Sequence, residues 1–306
     1  MAFTAADVKN LREMTGVGMM DCKKALTATD GDIDKAIEWL REKGLAAAQK
    51  KAGRIAAEGM AYAAVIGGIG VVVEVNAETD FVSKNDLFVD YVKNVAAVVA
   101  EKAPADLEAL MAAAYPGSEL TVEQMQQEKV LVIGENIKVR RFDRYEGGLS
   151  VPYIHAGGKI GVLVNLEVEG VAEEKAAEVG KDLAMQIAAL NPQFLDKSEV
   201  DQETLDKEKE ILLAQALQDP KNAGKPQNII EKMVIGRVGK YYKENCLLEQ
   251  AFVKDGNLSV AQYAANTAKA LGGKIEVVSF VRFEKGEGLE KREENFAEEI
   301  AKQLAQ

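Results

Sequence analysis

The chain has one imidazole, His155, and two thiols, Cys22 and Cys246, so nucleophilic or metal-assisted chemistry would rest on very few groups. No serine or cysteine motif accompanies His155 as a nucleophile accompanies its base. Cys22 stands beside Lys23 and Lys24 near a helix start, where a thiolate is favoured, but the position suits a small buried hydrophobe equally well. Three soft ligands are too few for a structural zinc site, and two cysteines make no disulfide framework. The acids of "DGDID", Asp30–Asp34, alternate as in a calcium loop, yet Lys35 stands where that loop needs glycine and Arg41 where it needs a bidentate glutamate. Helix capping explains those acids better. "GGIG", Gly67–Gly70, lacks both the GxGxxG spacing and a Lys-Ser/Thr ending, and it lies between two strand-like runs, so it reads as a hairpin turn. Carboxylate pairs are plentiful and none is distinctive. No catalytic constellation emerges.

What remains is apolar side chains in polar or turn-forming surroundings. Met19-Met20 follows Gly16-Val17-Gly18, and Phe81 sits inside "NAETDFVSKND", directly after the β-branched run Val71 to Val75. The chemistry open to such residues is burial. A phenylalanine just past a strand either turns back into its own core or enters another molecule, and a methionine pair either fills a core gap or forms an adaptable contact surface.

The 306 residues suffice for two or three domains, and 47% hydrophobic with 28% charged residues is an ordinary globular composition. The net charge of -11 argues against a general phosphate-backbone binder, which needs a concentrated positive footprint. Residues 1–54 carry ten basic and eight acidic side chains, so the rest of the chain holds -13 and the N-terminal piece is electrostatically distinct. The start "MAFTAADVKN" has neither a secretory nor a transit pattern, and the longest uncharged apolar stretch, Met60 to Val73, has 14 residues with three glycines. The expectation is a cytoplasmic protein that binds neither membrane nor nucleic acid directly.

These residues must be positioned by helices and small sheets. Three short helices are expected in the first fifty residues. Thr4 and Asp7 form a capping box, Val8, Leu11 and Met14 mark one face, and Gly16 stops the first helix. The second runs from Met19 or Met20 to about Leu26, and after a turn at Asp30-Gly31 the third carries Ile33, Ala36, Ile37 and Leu40 and ends at Gly44. Leu45 to Ala57 reads as a helical linker. Beyond it the chain repeats: Tyr62, Gly67, Ile69, Gly70, Val71 and Val73 match Tyr153, Gly158, Ile160, Gly161, Val162 and Val164 at an offset of 91. Each copy reads as a glycine-turn hairpin, then helix (Phe88, Val92, Val95 and Val99 in the first), then a closing strand from Asn136 or Lys274. Residues of about 199–240 interrupt the second copy with an antiparallel helical hairpin. Its apolar positions, among them Leu205, Leu212, Ile230, Met233 and Val234, suit core packing or a partner surface. An amphipathic helix from Leu289 carries Phe296, Ile300 and Leu304, able to dock on its own core or on a partner. The fold class is α+β.

"LREMTGVGMMDCKKAL" (11–26), "EVNAETDFVSKN" (74–85), "IGENIKVRR" (133–141), "GGKIGVLV" (157–164) and "FEKGEGLEKREENFAEE" (283–299) closely resemble the elongation factor Ts family across essentially the whole chain. The resemblance implies a guanine-nucleotide exchange factor for elongation factor Tu, acting by protein binding without covalent chemistry. It needs no cofactor of its own, since any Mg²⁺ or GDP belongs to the partner. The implied architecture is a UBA-like three-helix domain (1–54), a core subdomain (55–146), a second related subdomain with the inserted hairpin (147–282) and a C-terminal module (283–306). By the same resemblance Thr79, Asp80, Phe81 and Val82 form the turn that dislodges Mg²⁺ from the GTPase, with Asp80 expected to hold the turn or cap the next helix. Arg12, Met19 and Met20 match positions that contact the nucleotide domain, and Ile133 and Gly134 belong to the same first-subdomain surface. His155, Met233 and Val234 fall on motifs of the second subdomain. One departure stands out: Gln186 occupies a segment where many members have histidine. A homodimer and a heterotetramer with the GTPase both stay open. Competing readings are an adaptor using only the helical N-terminus, and a small-molecule enzyme, against which the barren motif search counts.

Overall fold

The computed structural model describes residues 3–222 and 224–290. Thr4 and Asp7 satisfy each other's backbone N–H groups at the start of α1 (Ala5–Thr15), and Gly16 closes it in the left-handed conformation. Helix α2 (Met19–Ala28) follows. Asp30 and Gly31 then turn the chain with positive φ, and the Asp32 carboxylate accepts the Lys35 N–H to cap α3 (Ile33–Lys51). Of the acids in "DGDID", Asp30 is thus a turn residue, Asp32 a cap and Asp34 part of the first turn of α3. Val8, Leu11, Cys22, Ala25, Leu26, Ala36 and Leu40 fill the space between the three helices.

Gly44 does not end α3, as its type suggests, because the helix runs on to Lys51. A Cβ at Gly44 would lie 3.4 Å from the Gln127 carbonyl oxygen. The glycine is there for close approach to a neighbouring helix backbone, and tertiary packing overrides its low helix propensity.

Strands β1 (Glu58–Ile66) and β2 (Ile69–Ala77) form a hairpin across Gly67-Gly68, after which α4 (Asp86–Lys102), α5 (Leu107–Ala112) and α6 (Val122–Ile133) lead to β3 (Lys138–Tyr145). The antiparallel order is β1-β2-β3. Strands β4 (Leu149–His155) and β5 (Ile160–Glu169) repeat the hairpin, followed by α7 (Glu173–Leu190), α8 (Gln202–Gln218) and α9 (Gln227–Asn245). A small ribbon of β6 (Ala251–Phe252) and β7 (Asp255–Ser259), helix α10 (Val260–Ala270) and β8 (Lys274–Glu284) complete the second sheet, ordered β4-β5-β8. Helices α8 and α9 form the expected hairpin. The C-terminal helix expected from Leu289 lies almost wholly outside the described residues.

The repeat is visible in backbone detail. Between Glu74 and Val75 the β2–β3 pairing slips, leaving Arg140 as an extra residue, and between Asn165 and Leu166 the β5–β8 pairing slips around Val278. Positions 74 and 165 are again 91 apart. The first strands obey the offset less strictly, since Tyr62 pairs with Val73 but Tyr153 with Val162, the counterpart of Val71. The second hairpin has a four-residue loop, 156–159, where the first has two residues. An even slip keeps every side chain on its face, so the hydrophobic pattern survives it.

Val71, Val73 and Val75 face the α4 residues Phe88, Val92, Val95 and Val99, while Val72 faces the other sheet with Ala61, Ala63, Leu163 and Phe283. β2 is covered on both sides, and its unbroken valine run follows from that. Equivalent glycines make the sheets' approach close: a Cβ on Gly70 would stand 2.4 Å from Ser150 Oγ, and one on Gly161 would stand 3.1 Å from the Ala61 carbonyl carbon.

Glu74 points into this inter-sheet space and is fully buried. Its Oε1 accepts from Arg140 Nη1 (3.0 Å), Asn76 Nδ2 (3.0 Å) and the Gly286 N–H (2.8 Å), and its Oε2 accepts from Arg141 Nε (2.5 Å). The bulge lets two consecutive arginines reach one carboxylate. Gly286 follows β8, so the network ties the end of the second sheet to the middle of the first. Gly286 has φ +70°, and a Cβ there would collide with the Ala57 carbonyl.

Glu74→Ala takes the buried carboxylate away from two guanidinium groups and is expected to cost about 3 kcal/mol in urea unfolding, the low end for breaking a buried pair because both arginines keep some solvent and Arg141 keeps Glu287 at 3.1 Å. Burial pushes the Cys22 thiol up and, as the leading cause, raises Cys246 to about 11. At pH 8 both are held as thiols, so iodoacetamide is expected to spare them in the native protein and to modify both in urea.

Candidate partner-binding site

Past Ala77, β2 gives way to a turn fixed from both sides. The Thr79 N–H donates to Glu135 Oε2 at 2.9 Å, and the Thr79 hydroxyl donates to Glu135 Oε1 at 2.7 Å. In the reverse sense the Asn136 N–H donates to Glu78 Oε1 at 2.7 Å. Asn136 Nδ2 donates to the Arg54 carbonyl at 2.9 Å, and Arg54 Nη1 lies 3.3 Å from Glu78 Oε1. Residues just after α3, β2 and α6 are thereby tied together. Hydrogen bonds to carboxylates are among the stronger ones in proteins, so this is a firm base for a turn.

On that base Phe81, 80% exposed, opens a short 3-10 turn, Val82–Lys84. Val82 beside it is 5% exposed and belongs to the first core, so the turn has an apolar anchor and an apolar projection side by side. Asp80 holds the turn through its main chain, its carbonyl accepting the Ser83 hydroxyl at 2.6 Å. The α4 cap expected of Asp80 is supplied instead by Asn85, whose Oδ1 accepts the Leu87 N–H at 2.9 Å. The Asp80 carboxylate is left exposed. In the second copy the positions equivalent to Thr79–Val82 are Gly170 to Glu173, where the chain passes directly into α7. The projecting aromatic is therefore particular to the first copy.

Ile133 and Gly134 close α6 immediately before Glu135, with Gly134 in the left-handed cap conformation at φ 88°. Lys51 Nζ donates to the Val130 carbonyl at 3.4 Å in the same corner, and its pKa is lowered by burial first and by the Arg54 charge second. The structure thus brings Thr79, Asp80, Phe81, Val82, Ile133 and Gly134 into one region. The three-helix unit joins it through α3, which packs along α6, with Leu131 and Val132 of α6 resting on the three-helix core. Arg12 is exposed on that unit, as are Met19 at 51% and Met20 at 64%, so neither methionine fills a core gap.

His155 is exposed at the end of β4, with Nδ1 3.0 Å from the Tyr153 hydroxyl. The loop that follows it touches the first sheet, where the Ala61 N–H donates to the Gly158 carbonyl at 2.8 Å. Met233 is half-buried, and Val234 is buried inside the α8–α9 hairpin. The hairpin's outward apolar residues are Ile211, Leu213, Leu217, Ile229 and Ile235, which helical periodicity alone did not separate from its inner face. Gln186 is buried on α7 and fully bonded: its Nε2 donates to Gln250 Oε1 and the Ala251 carbonyl, and its Oε1 accepts the Val253 N–H. It is structural, standing 91 residues after the buried Val95.

Among the described residues, no three or more His, Cys, Asp or Glu side chains converge as metal ligands would. His155 has a tyrosine for a neighbour and both cysteines are buried, so the distinctive feature of this surface is a rigidly mounted apolar projection. Glu135, Asn136 and Arg54 escaped sequence reasoning, because a bond spanning 56 residues leaves no periodicity to detect. Their only trace was the location of Glu135 and Asn136 within "IGENIKVRR".

The family model described as Elongation factor TS matches residues 78–287. A protein named Elongation factor Ts from Clostridium perfringens (strain ATCC 13124) is 54% identical over 303 residues, covering 98% of each chain. Another of that name from Clostridium botulinum (strain Eklund 17B) is 52% identical over 307 residues, covering 98% of this chain and 99% of its own. A third from Syntrophotalea carbinolica is 50% identical over 304 residues, with the same coverage. Matches of this breadth and identity establish that the chain belongs to the elongation factor Ts family.

Proposed function

We propose that this chain is a guanine-nucleotide exchange factor for elongation factor Tu in translation elongation, and that Phe81 is its wedge. The observation that carries the reading is Phe81, 80% exposed on a turn pinned to α6. A phenylalanine so exposed gains about 1.5–3 kcal/mol on full burial, and a pinned turn loses little conformational freedom in delivering it. GDP in a GTPase is held by a phosphate cradle and a Mg²⁺ bridging its oxygens. A ring inserted beside that cradle favours the conformation in which metal and phosphate loop are displaced. The ion and the nucleotide belong to the partner, and this chain contributes shape and burial.

Arg12, Met19 and Met20 then form a second contact on the GTPase nucleotide domain, and Ile133 and Gly134 extend the Phe81 surface. His155, Met233 and the α8–α9 hairpin are assigned to the partner's remaining domains. Val234, being buried, supports the hairpin from inside. The corresponding division is a UBA-like domain at 1–54, a core subdomain at 55–146, a related one at 147–282 and a C-terminal module from 283, working in the cytoplasm. Factor and nucleotide oppose each other reciprocally, so a 10³-fold loss of GDP affinity needs about 4 kcal/mol of coupling, within reach of one buried aromatic and a few supporting contacts. Incoming GTP then expels the factor by mass action.

The test is release of a fluorescent GDP analogue from purified elongation factor Tu. Wild type is expected to accelerate it strongly, and Phe81→Ala to lower the acceleration at least about tenfold, as for a buried aromatic hot spot. The variant's urea unfolding curve is expected to match wild type, because the ring touches so little of its own fold. No acceleration by wild type refutes the reading. Met20→Ala is expected to raise the concentration for half-maximal exchange about threefold with the maximal rate unchanged, since a flexible side chain at a contact adds uniform binding. An adaptor using only the helical N-terminus gives the reverse pattern, with binding lost in Met20→Ala and intact in Phe81→Ala.

A further inference from the structure

We infer that Glu135 is a positioning residue for nucleotide exchange, setting the exchange rate through the Thr79–Val82 turn without touching the partner's nucleotide site. The inference rests on the exchange-factor reading and adds a residue to it. Glu135 is half-buried, and its two oxygens accept the two polar hydrogens of Thr79, at 2.9 and 2.7 Å. Two residues further on, the Phe81 ring is exposed and has no support above Val82. Phe81 keeps its direction through the backbone beneath it, where Thr79 donates to Glu135 and, one residue earlier, the Glu78 carboxylate accepts from the Asn136 N–H and from Arg54. Without Glu135, both polar hydrogens of Thr79 lose their acceptor, the turn keeps only the Asn136–Glu78 bond, the Ser83 hydroxyl bond and the Val82 anchor, and more of its ordering is left to the moment the ring inserts. That ordering cost falls on the wedged state.

The same geometry distinguishes positioning from a charge aimed at the partner. In Glu135→Gln the amide oxygen still accepts the Thr79 N–H, and its NH₂ donates to the Thr79 hydroxyl, which turns to accept. The clamp survives without its charge. In Glu135→Ala both bonds are lost.

The experiment measures GDP release from elongation factor Tu, catalysed by the full chain at saturating factor, for wild type, Glu135→Ala, Glu135→Gln and Thr79→Val, each also in a Phe81→Ala background. Glu135→Ala is expected to slow maximal exchange about tenfold, Thr79→Val about threefold, and Glu135→Gln less than about twofold, the scale of losing two, one and none of the clamp's hydrogen bonds. In the Phe81→Ala background Glu135→Ala is expected to have no further effect, because it acts through the ring. Independently of any partner, hydrogen exchange at the Thr79 amide, whose N–H donates to Glu135, is expected to speed at least about tenfold in Glu135→Ala and to stay near wild type in Glu135→Gln. A Glu135→Gln variant as slow as Glu135→Ala overturns the inference, as does an equal loss in the Phe81→Ala background. Should Glu135→Ala fail to fold, Thr79→Val carries the same test with the carboxylate intact. Wild-type acceleration undiminished in Glu135→Ala and Thr79→Val refutes this inference alone, whereas a wild type that leaves GDP release unchanged refutes the exchange reading beneath it.

Discussion

One buried carboxylate holds the architecture together. Glu74 sits in the middle of β2 with no access to water and takes hydrogen bonds from β3, from its own strand and from the segment after β8. A charge in that place is tolerable only if it is well supplied with donors, and the arrangement that brings all four to it is the one in which both sheets are formed and docked. An apolar residue could fill the volume, but it would not demand that Arg140, Arg141 and Gly286 arrive together. Arg141 adds a cation–π contact, its guanidinium carbon 4.3 Å from the centre of the Phe283 ring, so the end of β8 is held by charge and by packing at once. The order of the two sheets, and hence the direction in which β2 delivers its turn, follows from this junction.

From there the display of Phe81 is a matter of leverage. A rigid, doubly covered strand ends at Ala77, and within five residues the chain has exposed Phe81 and buried Val82. Exposing a large apolar ring is unfavourable for an isolated fold. The surrounding structure tolerates it because the turn is held by main-chain and carboxylate bonds that do not depend on where the ring lies. The three-helix unit is part of the same mounting, since the Arg54 carbonyl and guanidinium both enter the corner that holds the turn.

Much of this was legible in the residues. The capping box at Thr4, the glycine turn at 67–68, the α4 stripe from Phe88 to Val99 and the 91-residue offset all reflect local rules, and local rules are what a sequence displays. The exposure of Phe81 could be argued from its polar neighbours. The sequence was misleading where a long-range partner decides. Gly44 looks like a helix stop and is a contact point with the α6 backbone, Asp80 looks like a cap and yields that role to Asn85, and Val234 shares a helical stripe with more exposed residues yet points inward. Glu135 left no local signal at all, because its meaning lies in a threonine 56 residues away.

The reciprocal fit of Gly70 against Ser150 and of Gly161 against Ala61 has a historical consequence. Two halves built on one plan are free to drift apart over most of their length, and they have: one kept a short turn and a projecting ring, the other a longer loop and an inserted helical hairpin. At the seam that freedom ends. Each half is the mould for the other, so a side chain gained on one side must be matched by one lost on the opposite side. The seam is therefore where the two halves are least free to differ, while their outward faces can take up different work.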